Sequence, residues 1–341
     1  MKTYAPNYYK SFKCIADRCR HSCCKGWNVY LDEGIQKKYR LLEGELGDKI
    51  RAALCEKEDG ICFEMKENGN CPFLNEKGLC EIILQKGEDY ISEICTEHPR
   101  FYNSFSDRWE VGLGLSCEEA ARIMLSFKEP NCLIVIDEDN TPEDELWEDE
   151  AAILQKRALL FDLLEDSSKS LDQRVGAILD AAEAKIPSKS TAEWADFLSG
   201  LEVLDPIWLE KLQELSLAPC INRDSPLGSC FDRNSSHSAP LCRGNNNVSA
   251  INSPPTLESA FKNLIFYFLY RHVSAAEDEA DLSSRTAFAI FSYLLIRKLW
   301  EIDPATATAP FETLCELGRM YSAEIEYSEE NTCALIDEMS R

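Results

Sequence analysis

Histidine is scarce: four residues in a chain of 341, against sixteen cysteines. A histidine-based catalytic triad gains no support from so few, and no nucleophile elbow accompanies them. Phosphate-cradling loops are missing as well, with neither a GxGxxG turn nor a Walker lysine. Gly112-Leu113-Gly114 has no βαβ unit around it and reads as a close-packed turn beside the strand-like Val111. Long apolar runs are also lacking. The opening MKTYAPNYYK has no apolar core of the length a secretory signal needs. The longest apolar stretches, Leu264–Tyr270 and Ala287–Ile296, stop at Arg271 and Arg297, short of the ~20 residues that span a bilayer. The expectation is a cytoplasmic protein without a membrane span. In that compartment thiols stay reduced, and dense cysteine points to metal ligation in preference to disulfides.

Basic charge is the third shortage. Lys and Arg number 36 against 60 Asp and Glu, a net charge of −24. The imbalance is uneven: residues 1–132 carry a net −3 and residues 133–341 a net −21. Such a surface repels phosphates, which excludes nucleic acid as the expected partner. It serves solubility first, and would also steer a lysine-rich protein segment toward it.

At 45% hydrophobic and 28% charged residues the composition is globular, and the length suggests two domains. The expected fold is mainly α, with α+β character in the N-terminal third. A cysteine-rich metal-binding domain (1–128) would pack on a helical domain. That helical domain comprises an acidic α-helical region (129–215) and a C-terminal helical region (257–341), separated by a flexible low-complexity loop (216–256). Within the first segment, Trp27–Asp32 alternates like a short half-buried strand, Glu33–Leu42 looks helical, and Cys71–Cys80 reads as a hairpin-like loop turning at Asn75–Gly78. Ser116 followed by Glu119 matches a capping box ahead of a helix Cys117–Phe127. Trp147, Ala151, Leu154, Ala158 and Phe161 form one apolar stripe, and Leu171, Val175, Ile178, Leu179 and Ala182 another. Short helices at 192–198 and 206–215, apolar helices at 257–273 and 283–302, and a last one at 311–325 complete the pattern. Cys220, Cys230, Cys242 and His237 fall in the loop at spacings that match no compact zinc motif.

What the chain does have is a set of eight cysteines in its first 120 or so residues: Cys14, Cys19, Cys23, Cys24, Cys71, Cys80, Cys95 and Cys117. All-sulfur ligation selects zinc, copper(I) or iron–sulfur clusters. Cys19 and Cys23 stand four apart, so a helical turn would put both sulfurs on one face, with Cys24 excluded unless the backbone leaves the helix. Cys71 and Cys80 close the two ends of one turn. Cys95 follows a short helical stretch, and Cys117 falls at a helix start, where the dipole favours a thiolate. A zinc site or a [4Fe-4S] cluster takes four thiolates, so eight leave room for a second centre or for buried structural cysteines. Cys55, Cys62, Cys132, Cys315 and Cys333 lack partners at useful spacing and read as small apolar core residues.

These words taken together, Cys14…Cys19…Cys23-Cys24-Lys25-Gly26-Trp27, Cys71-Pro72-Phe73-Leu74, Gly78-Leu79-Cys80, Cys95 with His98-Pro99-Arg100, and Leu115-Ser116-Cys117-Glu118, resemble the flagellin lysine-N-methylase family. The cysteine block also resembles the broader CxxxCC zinc- or iron-chelating proteins. The resemblance covers residues 8–125 and extends loosely to the Tyr267–His272 helix and Arg285. It is not a radical S-adenosylmethionine motif, which needs CxxxCxxC where this chain has CxxxCC. The resemblance implies a protein-lysine N-methyltransferase acting on flagellin with S-adenosylmethionine, its cysteines holding an iron–sulfur cluster or zinc. Non-enzymatic metal binding or delivery, or a structural zinc ribbon, are the alternatives. Tyr30, Tyr102, Tyr267 and Tyr270 offer aromatic faces for a sulfonium. His98 would ligate metal or bond a cluster sulfur, Arg100 would neutralise a cluster or hold a carboxylate, and structural capping is an equal role for either. Asp32 would anchor Arg100 or the substrate ammonium. No residue is assigned to the cofactor pocket or to catalysis.

Overall fold

The computed structural model describes residues 1–57, 60–139, 145–218 and 256–341. Of the described residues 57% are helical, beside a small mixed sheet, making the fold mainly α with an α+β beginning. Two compact units separate: residues 12–101 with 117–119, and residues 1–11, 102–116 and 120–341. Strand pairing, not sequence order, draws this line, because the first strand joins the larger unit.

That strand, β1 (Lys2–Pro6), precedes the elements of the cysteine-bearing unit. There follow α1 (Glu33–Leu41), α2 (Glu45–Ala52), β2 (Leu54–Lys57), β3 (Gly60–Phe63), α3 (Glu81–Lys86) and α4 (Glu93–Glu97). The core of this unit gathers Val29, Leu31, Ile35, Tyr39, Phe63 and Phe73, and Cys71 is buried among them. Phe63 and Phe73 meet edge to face with centroids 4.7 Å apart, a geometry aromatic quadrupoles favour. Val29 and Leu31 are buried and alternate with partly exposed neighbours, as the sequence suggests. The segment is nevertheless not a strand. It meets β3 through one bridge, Tyr30 to Cys62, and the bonds Leu31 N to Ile61 O and Phe63 N to Val29 O.

The larger unit holds β4 (Arg100–Phe105, all but its first two residues), β5 (Arg108–Leu113), α5 (Glu118–Leu125, from Ala120) and β6 (Leu133–Glu138). The sheet order is β4-β5-β1-β6, β1 running parallel to β5 and antiparallel to β6. Gly112 thus lies inside β5 and not in a turn. Helices follow: α6 (Glu148–Glu165), α7 (Leu171–Ala181), α8 (Thr191–Ser199), α9 (Pro206–Leu217), α10 (Leu257–Phe268), α11 (Glu279–Ile302), α12 (Pro310–Tyr321) and α13 (Glu329–Met339). The last of these was not expected, since only Leu335 and Met339 supply its buried apolar contacts. The 216–256 loop, with Cys220, Cys230, Cys242 and His237, lies outside the described residues apart from its edges. No helix among the described residues is long and apolar enough to cross a membrane.

Two sequence expectations are overturned here. The α6 stripe through Trp147, Ala151 and Ala158 points outward, with Trp147 71% exposed. The buried face is Ile153, Arg157, Leu160 and Leu164. Arg157 belongs to the core because both of its η nitrogens bond Glu110, at 2.6 and 2.7 Å, and an apolar-only count passes over it. The capping box at Ser116 does not form either: its hydroxyl is buried without a partner, and α5 begins at Glu118, after Cys117.

Candidate functional site

All eight candidate cysteines fall in the smaller unit. Two local devices decide which of them meet. The first is a backbone clamp: Cys71 N donates to Cys24 O at 2.8 Å, Gly26 N donates to Gly69 O at 3.0 Å, and Lys25 bridges Asn70. Gly26, at φ +89°, makes the turn that side chains disfavour. The clamp sets Cys24 opposite Cys71. The Cys71–Cys80 loop then closes as expected, with Asn75 N bonded to Leu79 O at 3.0 Å and Leu74 bridging Cys80. Cys95 lies within α4, not after it. Cys24, Cys80 and Cys95 all pack against the core that contains Cys71.

The second device is Glu118. It accepts from Arg20 N and Arg20 Nε, each at 2.9 Å. The Cys19 thiol donates to His21 O at 3.0 Å and stands 3.7 Å from the Glu118 carboxylate. This ion pair fastens the Cys14–Cys23 segment beside Cys117. Cys19 to Cys23 is not a helical turn: a 3-10 turn ends at Arg18 and Cys19 is extended. Ala16, before it, takes a left-handed φ of +50°, a conformation rare for residues with a Cβ and frequent at functional sites.

Electrostatic influence among the thiols links Cys71, Cys80 and Cys95 with Cys24, and Cys23 with Cys24, Cys14 and Cys117. Cys71 is pushed up to about 12 by burial, and then by the charges of Cys24, Cys80 and Cys95. Burial likewise pushes Cys95 up to about 11, with Cys24 and Cys80 adding to it. Burial raises Cys80 too, and Cys24 adds to the rise. Cys19 is pushed up to about 11 by burial, with Glu118 and Cys117 contributing. Cys23 is influenced most by Cys24, and then by burial, Cys14 and Cys117. The adjacent Cys23 and Cys24 thiols influence each other most: Cys23 keeps its proton and is driven far up, whereas the same interaction brings Cys24 down to about 7.

Among the described residues no three His, Cys, Asp or Glu side chains stand together as a ready metal-binding group. The thiols adjoin one another without forming a coordination sphere. Cys71 is buried, Cys14 and Cys23 are exposed and the other five are partly buried; thiolate donors nonetheless suit a soft cation, whose positive charge deprotonates the thiols that bind it.

The flanking residues take structural roles. Asp32 caps two helices, accepting from Ile35 N at 2.8 Å and Glu93 N at 3.0 Å. Burial tends to raise its carboxyl, but these amides outweigh that and lower it. Both of its oxygens are thereby engaged in capping, one to each helix. Arg100 donates to Thr96 O at 3.1 Å and Glu97 O at 3.4 Å, closing the end of α4. His98 stacks on Trp27 at 6.3 Å, and burial pushes it down to about 4. It is neutral at physiological pH, as a ligand must be. Tyr267 and Tyr270 are fully buried, whereas Tyr102 is 50% exposed.

Sequence reasoning missed a buried charge cluster in the larger unit. Two π-helical turns, Leu269–Val273 and Ser322–Glu326, carry it. Glu326 accepts from Tyr267 at 2.7 Å, lies 2.6 Å from His272 Nε2 and pairs with Arg271 at 3.3 Å. π-turns recur at functional sites, but no periodicity in the sequence marks one.

No family model matches the chain, and no solved structure does. Over 133 residues the chain is 30% identical to a lysine-N-methylase of Salmonella choleraesuis (strain SC-B67), a match covering 36% of this chain. The chain covers 32% of that relative's length.

Proposed function

We propose that the chain is a protein-lysine N-methyltransferase that uses S-adenosylmethionine, with its eight-cysteine unit holding an iron–sulfur centre or zinc. The observation that carries this reading is the 30% identity to a lysine-N-methylase, and the gathering of all eight cysteines in one compact unit supports it. A protein substrate follows from that reading, flagellin first, and the net charge of −24 would favour approach of a lysine-bearing surface. The cytoplasm is the proposed location.

The reaction is a displacement at carbon. The neutral lysine amine forms an N–C bond to the sulfonium methyl, the C–S bond breaks, S-adenosylhomocysteine leaves, and the methylated amine releases a proton. Lysine must be deprotonated first, which burial promotes, and nitrogen, methyl and sulfur must be held in line. The bound centre would supply a rigid scaffold and fixed local charge. Its ligands would come from Cys14, Cys19, Cys23, Cys24, Cys71, Cys80, Cys95 and Cys117. Incubating the purified protein with methyl-labelled S-adenosylmethionine and flagellin should put label on lysine. Absence of protein-bound label, with S-adenosylmethionine unbound at equilibrium, would reject the enzyme and leave non-enzymatic metal binding.

A further inference from the structure

Cys55 and Cys62 lie directly opposite each other on β2 and β3. Their sulfurs are 3.3 Å apart, closer than ordinary sulfur contact, yet both are free thiols. Expected to be unpartnered core residues, they are partners across a ladder that sequence spacing alone does not show. We propose that Cys55 and Cys62 are a redox-active pair which a hydroperoxide converts to a cross-strand disulfide, independently of the eight cysteines of the candidate centre.

Three observations support this. The ladder fixes the pair: Leu54–Phe63 and Glu56–Ile61 flank it, and β3 is pinned on its other side by the bonds to Val29 and Leu31. Directly opposed antiparallel residues have Cα atoms about 4.5–5.5 Å apart, inside the roughly 4.4–6.8 Å that a disulfide accepts. Side-chain rotation alone can then close the sulfurs to about 2.05 Å. Access is unequal as well: Cys62 is 0% exposed and Cys55 is partly exposed, so the oxidant meets Cys55 first. Finally, burial pushes the Cys62 thiol up to about 11 and its bond to Cys55 adds to the rise, against the nearby Lys57. Cys62 therefore keeps its proton and does not compete with Cys55 for the oxidant.

The Cys55 thiolate, its proton released to solvent, attacks the terminal peroxide oxygen. The O–O bond breaks, a sulfenic acid forms, and the leaving oxygen takes up a proton as water or alcohol. The Cys62 sulfur then attacks the Cys55 sulfur: the S–S bond forms, the S–O bond breaks, and hydroxide departs with the Cys62 proton as water. The two sulfurs lose two electrons and the peroxide gains them.

The test uses the full chain, reduced and then treated anaerobically with one equivalent of hydrogen peroxide. Free thiols are alkylated and the protein is digested with trypsin. Cleavage after Lys57 puts Cys55 on peptide 52–57 and Cys62 on peptide 58–66, so only a disulfide can hold them together. The expected result is a joined peptide that carries most of the thiol loss, separates with dithiothreitol and is absent from Cys55→Ser, while the exposed Cys333 stays alkylatable. Both peptides fully alkylated while Cys333 is oxidised, Cys55 joined to any other cysteine, or Cys55 ending as sulfinic acid would each overturn the proposal. Should Cys55→Ser fail to fold, the wild-type peptide map decides alone.

Discussion

Replacing Arg157 by methionine should remove a substantial part of the stability of the larger unit. Arg157 is buried and Glu110 is 0% exposed, and two bonds of 2.6 and 2.7 Å join them. Arg157 also donates to Ser274 and lies over the rings of Phe105, Phe161 and Tyr270 at 5.9, 5.5 and 5.6 Å. Methionine keeps much of the stem's packing but strands a buried carboxylate, a loss of about 3–5 kcal/mol. Against a total of about 5–15 kcal/mol this is severe, and in a unit of this size it lowers Tm by roughly 6–20 °C. The double variant Glu110→Gln/Arg157→Met removes the stranded charge and should recover a large part of the loss. Urea unfolding of the wild type and both variants measures this. An Arg157→Met variant within about 0.5 kcal/mol of wild type, or strict additivity in the double variant, would refute the claim that this pair organises the core.

Two further expectations follow from buried and capping carboxylates. Asp32→Ala removes the side-chain cap of α1 and the bond to Glu93 N together. A loss of about 1–3 kcal/mol is expected for the two bonds, read by thermal unfolding, with Asp32→Asn recovering part of it. For Glu326, burial pushes its pKa up, but the charge of Arg271 and the bond from His272 outweigh it and hold it at about 2. Its folded value lies below the unfolded one of about 4.3. Its contribution is therefore complete above that unfolded value and is lost as pH falls toward 2. At about 1.4 kcal/mol per unit this is roughly 3 kcal/mol. The stability gap between wild type and Glu326→Gln should shrink by that order between pH 5 and pH 2, and a constant gap would count against the reading.

Much of the helical half is legible in sequence because its elements carry their own signals. Val175, Ile178, Leu179 and Ala182 keep the 3.6 period and are buried in and just after α7. Ser170 with Gln173 and Ser190 with Glu193 close capping boxes at the starts of α7 and α8. What escapes the reading is what depends on distant partners. Arg157 hides the true face of α6, since a charge is apolar-like only when Glu110 waits for it. β1 is central in the sheet, yet five residues rich in polar atoms show no strand period before β5 and β6 flank them. The cysteine set is visible, but what gathers it is not. Gly26 turns the chain where Cys24 meets Cys71, and Glu118, beside Cys117, holds Arg20, and neither cause can be read from spacing. Cys55 and Cys62 escaped for the same reason.

The most direct test of the account is metal and acid-labile sulfide analysis of anaerobically purified full-length protein, with cysteine alkylation before and after chelation. The proposed centre predicts bound iron with sulfide, or zinc without it. Its cysteine ligands should resist alkylation together and open as metal is removed. Metal-free protein whose eight cysteines alkylate independently of chelator would contradict the account.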